Sequence, residues 1–372
     1  MTLGKDIKKL GFGLMRLPML GEEVDIEQTK QMVDLFMEKG FTYFDTAYGY
    51  IDGKSEEAAK TALVDRYPRE RFQLTTKLPA WHGPKTAKEA EDMFWTSLKR
   101  TGVEYFDFYL LHNLGADRTE SFYKFDIWNF LAEQKKAGRI KHIGFSIHDT
   151  ADYLENILEK HPEMEFVQLQ INYSDWENSI VQSRKCYEVA RKFNKPVVVM
   201  EPVKGGALAR LPEQAAKILY AANPAASAAS WAIRFAASLD GVITVLSGMS
   251  TLLQMEDNLS FMENFKPLTK DELAVVDKVQ EVLAGIPQVP CTDCRYCLKD
   301  CPANVAIPGT FKTINDYLIY HDLESVKRSY AWETSSRAKA SECVACGNCE
   351  AVCPQSIPII EELAKASKVL DA

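Results

Sequence analysis

Eight short runs rich in β-branched and aromatic residues recur along roughly the first 250 positions, separated by longer segments. The runs are KLGFGLMRL (9–17), FTYFDTA (41–47), FQLTTKL (72–78), FDFYLLH (106–112), IKHIGFSIH (140–148), FVQLQIN (166–172), PVVVMEP (196–202) and VITVLSG (242–248). Segments such as 26–39, 55–66, 86–101, 122–137 and 178–194 carry apolar residues at helical spacing. Near-continuous apolar runs mark strands buried on both faces, as in parallel sheets. Eight βα units over about 250 residues suit a closed (β/α)8 TIM barrel. The competitor is an open doubly wound sheet, which usually carries GxGxxG after its first strand. Here the first run holds Gly11 and Gly13 without the third glycine, so an α/β barrel is expected.

Of 372 residues, 46% are hydrophobic, enough for a sizeable core. No apolar run approaches the ~18 residues of a membrane span. The start, MTLGKDIKKLGFG, lacks the apolar stretch and cleavage site of a secretory signal, so a cytoplasmic setting is expected. A net charge of −8 argues against nucleic acid as the main ligand. A further helix is expected at 270–284, and AGIPQVP (284–290) reads as a linker. The expected division is a barrel over 1–285 and a small domain over 286–372.

Catalytic groups in such barrels sit at the C-terminal ends of strands. Asp45 ends the second run, with Tyr50 five residues on; Lys77 ends the third and His112 the fourth. A buried unpaired charge costs several kcal/mol, so each needs a reason to be there. One reading is a structural Asp45–Lys77 ion pair and a satisfied core histidine. The other is chemical. A tyrosine hydroxyl is a poor acid at neutral pH, and a nearby ammonium stabilises its phenolate. A carboxylate holds the lysine charged, and a neutral histidine orients a carbonyl oxygen. Together they make a general acid for hydride transfer.

With these residues the sequence resembles the aldo-keto reductase family. The matching pieces are GFGLMRLP, FDTAYGY, GKSEE (53–57), TTKL, LLHN, GFS (144–146), QINY (170–173) and GMSTLLQMEDN (248–258). The resemblance covers about residues 5–265. It implies a catalytic tetrad of Asp45, Tyr50, Lys77 and His112, with Tyr50 as proton donor. It also implies an extended nicotinamide dinucleotide, NADP or NAD, without a Rossmann fold. Contacts are implied at Gly13, Met15, Asp45, Ser146, Gln170, Met200, Gly248, Ser250, Gln254 and Asn258. Lys204, beside Gly205 and Gly206, is a further candidate for the pyrophosphate, or else a solvated loop lysine. Three positions depart from the family pattern: Ile147 for an asparagine, Met200 for a stacking tyrosine, and Gln254 for an arginine on the 2′-phosphate. Tyr48, Trp81, His82 and Trp176 follow strand ends and line the substrate pocket or pack the loops.

Eight of the nine cysteines fall between 291 and 353. Cys291, Cys294, Cys297 and Cys301 precede Pro302, and Cys343, Cys346, Cys349 and Cys353 precede Pro354. This doubled C-x2-C-x2-C-x3-C-P is the bacterial ferredoxin signature of 4Fe–4S clusters. Zinc needs only four ligands, and a disulfide framework conflicts with the absent signal. The ferredoxin resemblance implies crossed ligation: one cluster on Cys291, Cys294, Cys297 and Cys353, the other on Cys343, Cys346, Cys349 and Cys301. The long insert between the runs is helical in pattern and resembles the mainly α-helical ferredoxin module of larger redox enzymes. Cys186 reads as a small core residue.

The expected function is an NAD(P)H-dependent oxidoreductase acting on a small carbonyl or alcohol. Its two clusters serve electron transfer or structure, and an electron-carrier protein, ferredoxin or flavoprotein, is a candidate partner. The alternative is a redox sensor or electron-transfer protein whose barrel is mainly sensor or scaffold.

Overall fold

In a computed structural model, the structure describes residues 3–116, 118–179, 181–320 and 323–372. It separates into two compact units: Met1–Pro202 with Ala229–Thr269, and Val203–Ala228 with Lys270–Ala372. The division at 285/286 follows motif content and falls inside the second unit.

The first unit is a closed barrel of eight parallel strands. These are β1 (Leu10–Gly13), β2 (Tyr43–Asp45), β3 (Gln73–Leu78), β4 (Phe106–Leu114), β5 (Ile140–Ile147), β6 (Phe166–Gln170), β7 (Val197–Met200) and β8 (Val242–Ser247). Each strand pairs with the next, and β8 closes onto β1 through Leu10↔Val245. Both faces of the strands are covered, so all nine residues of β4 are buried. Inward side chains of Tyr43, Phe108, Leu110, Phe166, Val198 and Ile243 fill the barrel as one apolar cluster. Helix rings cover the strands edge to face: Phe94 of the helix Ala87–Thr101 packs on Tyr109 of β4 (5.1 Å) and on Phe130 of the helix Ile127–Lys136 (5.6 Å). The registers Gly13↔Asp45 and Lys77↔Leu110 bring Asp45, Lys77 and His112 to one end of the barrel.

Local chemistry sets the helix starts. Asp25, Thr86, Thr150 and Thr251 each accept a backbone N–H at the head of a helix, which satisfies an otherwise orphaned donor. Several elements differ from expectation. The first run is a strand only to Gly13; Leu14–Arg16 is a 3-10 turn, followed by a small hairpin of Met19–Leu20 with Glu23–Val24. The pattern over 122–137 is two helices, Thr119–Lys124 and Ile127–Lys136, broken where Asp126 turns left-handed at φ 54°. Among the described residues no helix is long and apolar enough to cross a membrane.

The second unit is mainly helical, with Glu213–Ala222, Lys270–Ala284, Ile307–Tyr320, Leu323–Glu333 and Ile359–Leu370 as its longer helices. Val305, Ile307, Phe311, Tyr330, Ile359 and Leu363 form its core. The cysteines lie on loops and on the single turns Tyr296–Lys299 and Asn348–Ala351.

Candidate active site and cysteine centres

Lys77 is fully buried at the end of β3. Its Nζ donates to Asp45 Oδ1 at 2.5 Å, to Thr46 O at 2.8 Å and to Tyr50 Oη at 3.3 Å. An ammonium has three N–H groups, and these three acceptors match them. Asp45, at the end of β2, is 2% exposed. Tyr50 opens the turn Tyr50–Gly53 directly after that strand. The imidazole of His112 meets the Tyr50 ring edge-on at 5.7 Å. Trp81 Nε1 donates to His112 O at 2.8 Å, which fixes the loop after β3 against β4. The four residues singled out in the sequence thus come together at one end of the barrel.

Their charges follow from burial. Burial pushes the Asp45 carboxyl up, while Lys77 pulls it down. Burial pulls the Lys77 ammonium down, and Asp45 and Glu56 push it back up. Each member compensates the buried charge of the other. His112 is held well below its usual value by burial and then by the Lys77 charge. A neutral imidazole at working pH is the consequence, suited to hydrogen-bonding a carbonyl oxygen.

In the second unit, Cys301, Cys343, Cys346 and Cys349 line one cavity whose walls include Val305, Ile307 and Leu363. Cys301 therefore joins the later run of cysteines. Cys297 is buried, and Cys294, Cys291, Cys353 and Cys349 lie close enough to act on it electrostatically. Backbone N–H groups of Asp293 and Val305 donate to the sulfurs of Cys291 (3.5 Å) and Cys301 (3.4 Å). Among the described residues no three Cys, His, Asp or Glu side chains converge as ligands of a single ion do. The thiols instead surround an apolar-walled space, which fits a bulky thiolate-bound group such as an iron–sulfur cluster.

The sequence profile of the Aldo/keto reductase family matches residues 9–281, nearly three quarters of the chain. The chain belongs to the aldo/keto reductase family. A 4Fe-4S dicluster domain profile matches residues 290–357. An aldo-keto reductase of Mycolicibacterium smegmatis is 27% identical over 157 residues, 42% of this chain and 52% of that one. One from Mycobacterium sp. (strain MCS) is 31% identical over 157 residues, 42% and 50% of the two chains. The chain thus spans about half the length of the curated relatives it matches. The holo aldo-keto reductase of Bacillus halodurans superposes with a TM-score of 0.58 at 25% identity, over 75% of this chain and 95% of that one. A Klebsiella pneumoniae aldo-keto reductase in complex with NADPH shares the fold at 21% identity, with a TM-score of 0.57 over 74% and 91% of the two chains.

The remaining expected contacts on the barrel lie at its strand ends or in the segments that follow them. Gly13 ends β1 opposite Asp45, and Met15 lies in the turn that follows. Ser146 Oγ on β5 accepts the Asn113 N–H at 2.8 Å. Gln170 ends β6 and donates from Nε2 to the buried carboxylate of Asp175 at 3.0 Å. Met200 ends β7, where its sulfur accepts from Gln168 at 3.5 Å. Gly248 and Ser250 follow β8. Gln254 Oε1 accepts the Ser250 N–H at 2.7 Å, and Asn258 donates to Ser247 Oγ at 2.7 Å. Lys204 belongs to the other compact unit, in a turn where Lys204, Gly205 and Gly206 all have positive φ. Tyr48, Trp81, His82 and Trp176 are all half-buried.

Two residues escaped the sequence reading. Asp175 orients the Gln170 amide; the spacing Gln170-x-Asn172-x-x-Asp175 was its only trace. Arg16 packs against Gly248, where an added Cβ would meet its Cδ at 3.3 Å, and its carbonyl accepts from Ser250 Oγ at 2.6 Å. That sets a cation beside the loop after β8. Its position one residue past Met15 in GFGLMRLP was the available signal.

Proposed function

We propose that the barrel interconverts a carbonyl compound and an alcohol, with Tyr50 as the proton donor. The observation that carries this reading is the buried Asp45–Lys77 pair with its ammonium 3.3 Å from the Tyr50 hydroxyl oxygen. A bound nicotinamide dinucleotide would supply the hydride to the carbonyl carbon. Tyr50 gives its proton to the carbonyl oxygen, and Lys77 stabilises the phenolate that remains. His112, neutral, holds that oxygen in line. Asp45 keeps Lys77 charged. Ser146 and Gln170 are the candidates for the carboxamide of the nicotinamide. Arg16, Gly248, Ser250, Gln254 and Asn258 are those for the phosphate and adenosine end. NADPH is the first cofactor to test, since the Klebsiella pneumoniae structure of the same fold holds it.

Residues 286–372 are assigned two 4Fe–4S clusters, on Cys291, Cys294, Cys297 and Cys353, and on Cys343, Cys346, Cys349 and Cys301. The lining of one cavity by Cys301 with Cys343, Cys346 and Cys349 supports the crossed arrangement. The exposure of Cys346 and of Val344 (63%) favours electron exchange with an external one-electron carrier over a purely structural role. A cytoplasmic setting suits these thiols, because it keeps them reduced. The test is Tyr50→Phe. Carbonyl reduction should fall at least ~100-fold with cofactor affinity retained; near-normal turnover would remove Tyr50 as donor.

A further inference from the structure

Behind the proposed proton donor lies a second, partly buried ion pair that the chemistry above does not use. Glu56 is fully buried on the helix Lys54–Ala59, and Arg100 reaches it from the helix Ala87–Thr101. Arg100 Nη1 donates to Glu56 Oε2 at 3.3 Å and to Tyr48 O at 3.0 Å, while its guanidinium stacks 4.6 Å from the centroid of the Tyr48 ring. On its other oxygen, Glu56 accepts from Thr76 Oγ1 at 2.7 Å. Thr76 is the residue before Lys77. One ion pair therefore ties the loop that carries Tyr50 to the strand that carries Lys77.

That loop needs holding. Ile51 and Asp52, directly after Tyr50, have φ of 51° and 52°, and Gly53 follows at 91°. A β-branched residue in the left-handed region is an outlier, and such a conformation persists only where its surroundings over-determine it. Gly53 makes room for the device: a Cβ there would lie 2.6 Å from the Arg100 Cζ.

We propose that Arg100 and Glu56 are positioning residues that fix the Tyr50 hydroxyl against the Lys77 ammonium. This rests on the reading of Tyr50 as proton donor. Charged groups facing the Tyr50 hydroxyl include Lys77 and, behind it, Asp45, with neutral His112 at the ring edge. Releasing the loop lengthens the Tyr50–Lys77 contact. From 3.3 Å to ~5 Å, at an effective dielectric of ~20, the charge interaction weakens enough to raise the proton affinity of a phenol about tenfold.

The test compares Arg100→Met, Glu56→Gln and Gly53→Ala with the unaltered protein and with Tyr50→Phe. The last of the three positioning variants keeps both charges and displaces the guanidinium, so it serves if Arg100→Met does not fold. The measurements are the pH profile of kcat with NADPH and a carbonyl substrate that the unaltered protein reduces, NADPH affinity by nicotinamide fluorescence, and the melting temperature. We expect kcat to fall about tenfold, its alkaline limb to move up by about one pH unit, and NADPH affinity to change less than twofold. Arg100→Lys should recover part of kcat, since an ammonium reaches Glu56 or Tyr48 O but not both. A folded variant with unchanged kcat and pH profile overturns the proposal, even if its melting temperature drops. If Tyr50→Phe itself turns over normally, the donor assignment fails first; if it is inactive while the Arg100 and Gly53 variants are normal, only the positioning role fails.

Discussion

Lys77→Met removes the ammonium at the centre of the site and keeps most of its volume. Three hydrogen bonds go with it, to Asp45 Oδ1, Thr46 O and Tyr50 Oη. Asp45 is 2% exposed, and its Oδ2 has no hydrogen-bond partner among the described residues. The carboxylate is then buried without compensation, which typically costs ~3–5 kcal/mol. It has one escape, to take up a proton. Keeping a carboxyl of ordinary pKa ~3.9 protonated costs about 4 kcal/mol at pH 7 and about 1.5 kcal/mol at pH 5. Burial pushes this carboxyl up, and in the variant the opposing pull of Lys77 is gone. A folded pKa raised above the unfolded one gives a deficit that grows as pH rises past ~3.9 and shrinks on acidification. Urea unfolding of variant and unaltered protein should therefore differ by about 4 kcal/mol at pH 7 and about 1.5 kcal/mol at pH 5. The double variant Lys77→Met/Asp45→Leu removes the stranded charge and should recover most of that stability, because an apolar pair replaces a buried ion pair at little cost. Its turnover should stay as low as that of Lys77→Met. A deficit independent of pH, or a double variant no more stable than the single, would refute the isolated charge pair. Normal turnover in the double variant would refute the catalytic use of Lys77.

The cysteine centres and a mouth histidine give two further predictions. Anaerobic analysis should find about eight irons and eight sulfides per chain, and Cys301→Ala should lower both to about four. Two or fewer irons in the unaltered protein would end the cluster assignment, and a Cys301→Ala spectrum matching Cys294→Ala rather than Cys346→Ala would end the crossed arrangement. His148 is held down to about 3 by burial and then by Arg118. The unfolded chain takes its proton near pH 6.5 and the folded one only near 3, so stability should fall as pH drops through that window. Allowing for its partial exposure, His148→Asn should regain about 1–2 kcal/mol at pH 4.5 and nothing at pH 8. Equal acid sensitivity in the two proteins would contradict a neutral His148.

The barrel and the convergence of Asp45, Tyr50, Lys77 and His112 were legible because residue type and environment conflict openly. A lysine in QLTTKL and a histidine in FDFYLLHNL stand near the ends of strands that are buried along nearly their whole length. Such a charge must find a partner, and the partners lie on neighbouring strand ends. The cysteine spacing was legible for a related reason, since three cysteines of each proposed centre are local in sequence. Cys301 was harder; its place beside Cys343 depends on how the helical insert folds, and only the resemblance supplied it. Glu56 and Arg100 were illegible by the same criterion. Each sits in an amphipathic helix pattern where a charge reads as a solvated face, and only the packing of two helices on the barrel buries Glu56. The left-handed Ile51 ran against its own propensity, so local reasoning pointed away from the turn that holds Tyr50. The residues proposed to perform the chemistry are exceptions in their own strands and so betray themselves. Residues that hold them in place need only be ordinary residues brought to an uncommon place. Positioning residues are therefore expected where the backbone is strained next to a catalytic group, and the Tyr50–Gly53 turn, with Arg100 packed on its glycine, meets that condition.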